Sequence, residues 1–223
     1  TMVCLGLVLM TAARPGAASD HRGTRFFGWS NFQRWTISNA RTDQTLCSPP
    51  FDGGFPWSEL VLSWNAETPA NTGLKLEVRA FPSDHPSDYY TMGLWTLNPG
   101  AFSRQSVSQQ KDAYGEVKTD TLILYRPSNR AQVRLTLSRT NTADWPRLRF
   151  VGAALTRPAA PVLPLPPNRA AWGRTIDVPC RSQVDYPEGV SAWCSPTCIS
   201  MVLAHWGRIL HRPELDKDVP TVA

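Results

Sequence analysis

Lysine is scarce in this sequence: 4 residues against 19 arginines, and the arginines stand singly, with no basic run or stripe. Without such a patch the net charge of +5 is a general surface property, and no nucleic-acid partner is expected. No segment reaches the ~20 apolar residues that a bilayer span requires, so no membrane span is expected either. Cysteine never occurs as a Cys-x2-Cys pair, and the spacings match no common zinc module. Between residues 24 and 156 there is no glycine-rich phosphate loop, paired-acid site, Ser/His/Asp set or internal repeat. No cofactor and no metal are therefore expected. What remains is a chain of 223 residues, 42% hydrophobic and 18% charged, which is a globular composition.

Residues 1–18 read as a secretory signal, incomplete because the usual basic n-region is missing. Val3 to Met10 is a short apolar core, and Arg14-Pro15-Gly16-Ala17-Ala18 offers a small-residue cleavage site. The competing reading is a buried N-terminal helix. A signal implies a secreted, extracellular protein and an oxidising compartment, with Cys4 removed and Cys47, Cys180, Cys194 and Cys198 retained. Four cysteines allow three full pairings, and Cys180 with Cys198 is the local one.

Residues 24–156 carry short period-two stretches. Leu60, Leu62 and Trp64 alternate, and Leu74, Leu76, Val78 and Ala80 alternate with Lys75, Glu77 and Arg79. Thr91–Leu97, Thr121–Tyr125, Val133–Leu137 and Leu148–Val151 continue the series. Turn formers separate them at Asn71-Thr72-Gly73, Asn98-Pro99-Gly100 and Pro127-Ser128-Asn129. This spacing predicts a mainly β chain with an antiparallel β-sandwich of jelly-roll type. Trp29, Trp35, Trp57 and Trp95 are candidates for stacking on sugar rings, or for the core. Asp112 and Asp120 are two carboxylates without a calcium loop.

Residues 157–173 form a linker in which Pro158, Pro161, Pro164, Pro166 and Pro167 favour extended polyproline II. Residues 174–223 hold the chemistry. A loop, Ser182-Gln183-Val184-Asp185-Tyr186-Pro187-Glu188-Gly189, leads into Ala192-Trp193-Cys194-Ser195-Pro196-Thr197-Cys198 and a helix. Pro196 fits the first turn, Ser195 and Thr197 can cap it, and Gly207 can stop it. Ile199, Val202, Leu203 and Trp206 mark one apolar face. A cysteine at the start of such a helix meets free amides and the helix dipole, which favour a thiolate. The competing reading makes it structural, or a zinc ligand with Cys180, Cys198 and His205. His205 lies ~16 Å along the helix axis from Cys194, too far to act as its base. His211 is expected in a surface loop.

The run from Gln183 through Gly189, then Trp193 to Thr197 and Met201-Val202-Leu203, resembles the opening of a papain-fold cysteine peptidase domain. It is similar to the bacteriocin-processing (double-glycine leader) peptidases in their secreted, stand-alone bacterial form. Ser63–Pro69, Tyr90–Trp95, Gln110-Lys111-Asp112 and Thr119–Leu122 resemble the β-sandwich preceding that domain. The resemblance implies Cys194 as nucleophile, Gln183 as the oxyanion-hole side chain and a peptide or protein substrate. Where the family often has serine, this chain has Cys198. The family's base, a His oriented by Asp or Asn, comes well downstream of the cysteine. Residues 174–223 are thus expected to be the N-terminal fragment of an α+β peptidase domain, inactive as it stands and exposing the apolar face of its helix. The alternative function is an extracellular β-sandwich that binds carbohydrate or a cell surface, with a non-catalytic remnant behind it.

Overall fold

The computed structural model describes residues 20–21, 23–83, 85–107, 109–140, 143–161, 166–190 and 192–223. They form two compact units, Thr1–Leu163 and Pro164–Ala223. The signal-like segment, Cys4 and Pro164 lie outside the described residues.

The first unit is built from antiparallel strands: β1 (Asp20–His21), β2 (Thr24–Trp29), β3 (Thr36–Asn39), β4 (Asp43–Cys47), β5 (Phe51–Glu67), β6 (Thr72–Ala80), β7 (Tyr90–Trp95), β8 (Gly115–Lys118), β9 (Thr121–Arg139) and β10 (Arg147–Thr156). The ladder runs β1-β2-β10-β5-β9-β4-β3, with β6 and β8 also on β9 and β7 on β6. The mainly β, antiparallel class expected from the alternating stretches is therefore the one found. Its strands belong to one continuous sheet that curls.

Two long strands make the curl. In β9 the buried apolar side chains are Leu122 and Leu124, then Ala131, Val133, Leu135 and Leu137; in β5, Trp57, then Leu60 and Leu62. Each set changes parity, which a regular strand cannot do. The β5–β9 register is irregular around Trp57, the signature of a bulge that bends both strands. The curl brings β5 over β7: Trp64 and Trp95 meet edge to face at 5.7 Å, although these strands share no ladder.

Pro127-Ser128-Asn129 is not a turn, as its composition suggested; it lies inside β9. Proline is tolerated there because the ladder is already irregular. The buried Ser128 hydroxyl serves the broken backbone, accepting from the Phe81 and Arg130 amides and donating to the Arg130 carbonyl. Trp57 and Trp35 are buried, while Trp29 and Trp95 are half-buried against the core. Two of the four candidate sugar-stacking rings are thus core residues. Asp112 is a turn residue whose Oδ1 accepts from the Tyr90 hydroxyl and the Tyr114 and Gly115 amides. The start of the expected polyproline stretch instead forms a turn, where the Ala160 amide donates to the Arg157 carbonyl and Ala160 is buried beside Gly23.

A buried carboxylate is paired within the sheet. Glu77 on β6, 3% exposed, accepts from Arg134 Nε and Nη2 on β9 at 2.7 and 2.9 Å, and Lys75 approaches at 2.9 Å. The Arg134 guanidinium also lies 3.7 Å from the Tyr89 ring centre. Glu77→Ala is expected to cost about 2–3 kcal/mol. That is below a fully buried pair, because Arg134 keeps part of its side chain in solvent. Urea unfolding should show a lower midpoint at unchanged slope.

Candidate active site

The second unit is organised around α1 (Cys194–Ile209), with α2 (Val219–Val222) and a 3₁₀ turn at Gln183–Asp185. Its buried face consists of Thr197, Ser200, Ala204 and Gly207. Small residues there let neighbouring backbone approach closely. Arg181, just before the loop, donates to Ser200 Oγ, Asp216 Oδ1 and the Lys217 carbonyl, and Ser200 Oγ donates to the same carbonyl at 2.6 Å. Higher up, His205 Nδ1 meets the Asp177 carbonyl at 2.7 Å, and Arg208 bonds the Asp177 carbonyl and carboxylate. The apolar face read from the periodicity is the uncovered one: Ile199, Val202 and Trp206 are about half exposed.

Cys194 is the first residue of this helix, and it is exposed and free. No side chain caps the helix start. Thr197, expected as a cap, donates its hydroxyl backwards to the Trp193 carbonyl at 2.7 Å, because residue i−4 is its nearest acceptor. Ser195 is exposed and makes no cap bond either.

The loop is tied to the helix start through a short relay. Gln183 Nε2 donates to the Val190 carbonyl at 2.8 Å, closing the loop on itself. An amide nitrogen has two hydrogens, so a second donor remains on Gln183. The Gly189 carbonyl accepts from the Ala192 and Trp193 amides, and the Trp193 ring lies over the buried Gly189 and near Tyr186, 6.1 Å between centres. A Cβ on Gly189 would sit inside that ring. Gly189→Val is therefore expected to expel Trp193 from its seat, shift its fluorescence to the red and cost about 1–3 kcal/mol.

Tyr186 continues the relay. Its hydroxyl donates to Asp218 Oδ1 at 2.6 Å, and the same carboxylate caps α2 at the Val219 amide. These two donors, the hydroxyl first, hold the Asp218 carboxyl below its usual value, against a smaller effect of burial. A depressed carboxyl stabilises the fold at neutral pH, and its share is lost as pH falls through the depressed value.

The helix does not stop at Gly207. Gly207 lies within it, where a side chain would strike the Arg212 carbonyl. The stop is His211, at φ 54°: the His211 amide bonds the Arg208 carbonyl and the Arg212 amide bonds the Gly207 carbonyl. This is a Schellman end with histidine where glycine is usual. His211→Gly should relieve the left-handed strain and raise stability by about 0.5–1 kcal/mol, read as a higher melting temperature. Neither His205 nor His211 is placed to serve Cys194.

Cys47, Cys180, Cys194 and Cys198 are all free thiols, so the Cys180–Cys198 bridge is not formed. Among the described residues no three His, Cys, Asp or Glu side chains converge on a point that could hold a metal, and Cys180, Cys194, Cys198 and His205 form no such set. No helix among them is long and apolar enough to cross a membrane.

Comparison with protein families matches residues 21–156 to the Peptidase C39 N-terminal domain and residues 175–221 to the Peptidase_C39 like family. No curated protein matches the chain. The first match covers most of the curled sheet and more than half of the sequence; the second covers the Gln183 loop and α1. The chain therefore belongs to the C39-like cysteine peptidase family.

Proposed function

We propose that this chain contributes the nucleophile and oxyanion donors of a peptidase. The observation that carries it is Cys194, a free, exposed thiol on the first residue of α1, with no side chain capping that helix start. The Cys194 sulfur attacks a peptide carbonyl carbon, forming a C–S bond. The carbonyl oxygen takes the negative charge, and backbone amides at the helix start receive it together with the remaining Gln183 donor. A base takes the thiol proton as the sulfur attacks and returns it to the leaving amine as the C–N bond breaks. Water, giving a proton to the same base, then releases the acyl group as a carboxylic acid and frees the thiol.

That base is a histidine outside this unit. Within the unit His205 is ~16 Å along the axis and bonded to Asp177, and His211 forms the helix end. The 223-residue chain alone is accordingly expected to leave peptides intact. The test is a fluorogenic peptide assay on this chain and on a product of the same gene extended beyond Ala223. Cleavage by the extended form that disappears with Cys194→Ala supports the reading. Cleavage that survives this change, or cleavage by the 223-residue chain itself, contradicts it.

We also propose that the protein is secreted, on the strength of the Val3–Met10 apolar core and the small residues at Gly16-Ala17-Ala18. Mass spectrometry of the mature N-terminus checks this: a start after Ala18 agrees, and retention of Val3–Met10 does not.

A further inference from the structure

Exposed sheet edges invite pairing with other chains, and natural sheets blunt them. The β domain does so repeatedly. On the far side of β7, the Gln110 side chain pairs with both main-chain groups of Thr91, and Gln105 bridges Leu94 through two 3.0 Å bonds. The same segment reaches β8, where the Gln110 carbonyl accepts from the Val117 amide and Lys111 bridges Glu116. The outermost strands β1 and β3 are only 2 and 4 residues long.

Among the described residues, longer stretches paired on one side alone remain at residues 26–29 of β2, residues 147–150 of β10 and the end of β5. β5 is laddered to β10 as far as Glu67, opposite Arg147, but to β9 only as far as Val61, opposite Thr121. Leu62 to Glu67 is thus paired on one side alone, among the described residues. Beside it lies a concavity of about 400 Å³ lined by Ser63, Trp64, Asn65, Ala66 and Trp95. Four consecutive strand residues point alternately to opposite faces, so they can line one hollow only if it sits at the strand's edge. The near-perpendicular Trp64 and Trp95 rings form the hollow's apolar corner.

We propose that this edge of β5 receives an extended polypeptide segment as an added strand, with an aliphatic or aromatic side chain seated in the Trp64–Trp95 corner. A peptide presents N–H and C=O groups at the strand repeat that the unpaired edge of β5 requires, and main-chain pairing with pockets for alternate side chains is an established recognition mode. A glycan presents no such repeat. The site needs nothing from Cys194, so a Cys194→Ala chain retains it, and loss of the peptidase reading would leave it standing.

The probe is a fluorescein-labelled heptapeptide alternating threonine and leucine, with two isomers N-methylated on alternate amides, one set on each edge. Titrated against the whole 223-residue chain, the parent peptide should bind saturably below about 1 mM. One methylated isomer should bind and the other fail, since only one set of amides faces β5. Trp95→Ala should weaken binding about tenfold, the usual loss when an aromatic anchor is truncated. Hydrogen exchange guards against a misfolded variant: in the unaltered chain the parent peptide should slow exchange within Leu62–Glu67. Equal binding of both isomers, protection elsewhere, no binding below about 1 mM, or protection of the same amides by self-association without peptide would each overturn the proposal.

Discussion

Cys194→Ala is expected to remove the peptide cleavage proposed for a product extended beyond Ala223, by about ten-thousandfold or more in kcat/KM. Cys180→Ser and Cys198→Ser should each stay within about tenfold of the parent. All three thiols are free and exposed, so accessibility alone does not separate them. Position does. Cys194 opens α1 beside the Gln183 loop, whereas Cys198 sits one turn up the same helix and Cys180 precedes the loop. Gln183→Ala should fall between these limits, about a hundredfold to a thousandfold lower, as for removal of one oxyanion donor. The drop should appear in kcat with little change in KM. Part of it will come from the loop, because the Gln183–Val190 bond is lost as well. Gln183→Glu keeps an acceptor but loses the amide donor, and should be as poor as alanine.

The second large effect is on stability. Trp57→Ala is expected to cost about 3–5 kcal/mol, the range for deleting a fully buried aromatic. That is a sizeable part of the ~5–15 kcal/mol of a typical domain. Trp57 is wholly buried at the place where β5 and β9 change phase, and Gly53 lies against its indole with no room for a Cβ. Its removal empties the inside of the bend. Trp57→Phe should cost distinctly less, because the buried indole N–H has no hydrogen-bond partner among the described residues. Denaturant melts of the two variants would decide it: near-equal losses would mean that Trp57 is not the packing residue of the curl.

The sheet was legible where charged residues alternate with apolar ones. Leu74 to Ala80 announced β6 by strict alternation, since its other residues are charged. β9 was read as two short strands with a turn between them, because Pro127-Ser128-Asn129 has turn composition. Composition does not reveal that Ser128 substitutes for missing ladder bonds at a bend. β3 and β4 escaped notice because β3 is exposed along its whole length and β4 buries only Leu46 firmly.

In the second unit, sequence located the start of α1 correctly from Trp193-Cys194-Ser195-Pro196. It placed the end at Gly207 because glycine is the usual stop, whereas that glycine serves a close backbone approach and His211 takes the left-handed position. The apolar stripe was read correctly, and the structure leaves it half exposed while burying the small-residue stripe beside it. The Gln183 and Cys194 pair was visible only as a spaced pattern. The Gly189–Trp193 contact that links them depends on a ring stacking over a residue with no side chain, which no periodicity announces.

The most direct test of the peptidase account is to treat the extended protein with a peptide vinyl sulfone and locate the adduct by mass spectrometry. A peptide vinyl sulfone is a Michael acceptor that adds fastest to an activated thiolate against which it is held as a substrate is, so at low concentration the fast adduct marks the nucleophile. The account predicts one fast adduct per chain, on Cys194, suppressed by competing peptide and absent from Cys194→Ala. A fast adduct on Cys180 or Cys198, or cleavage that continues with Cys194 fully blocked, would contradict it.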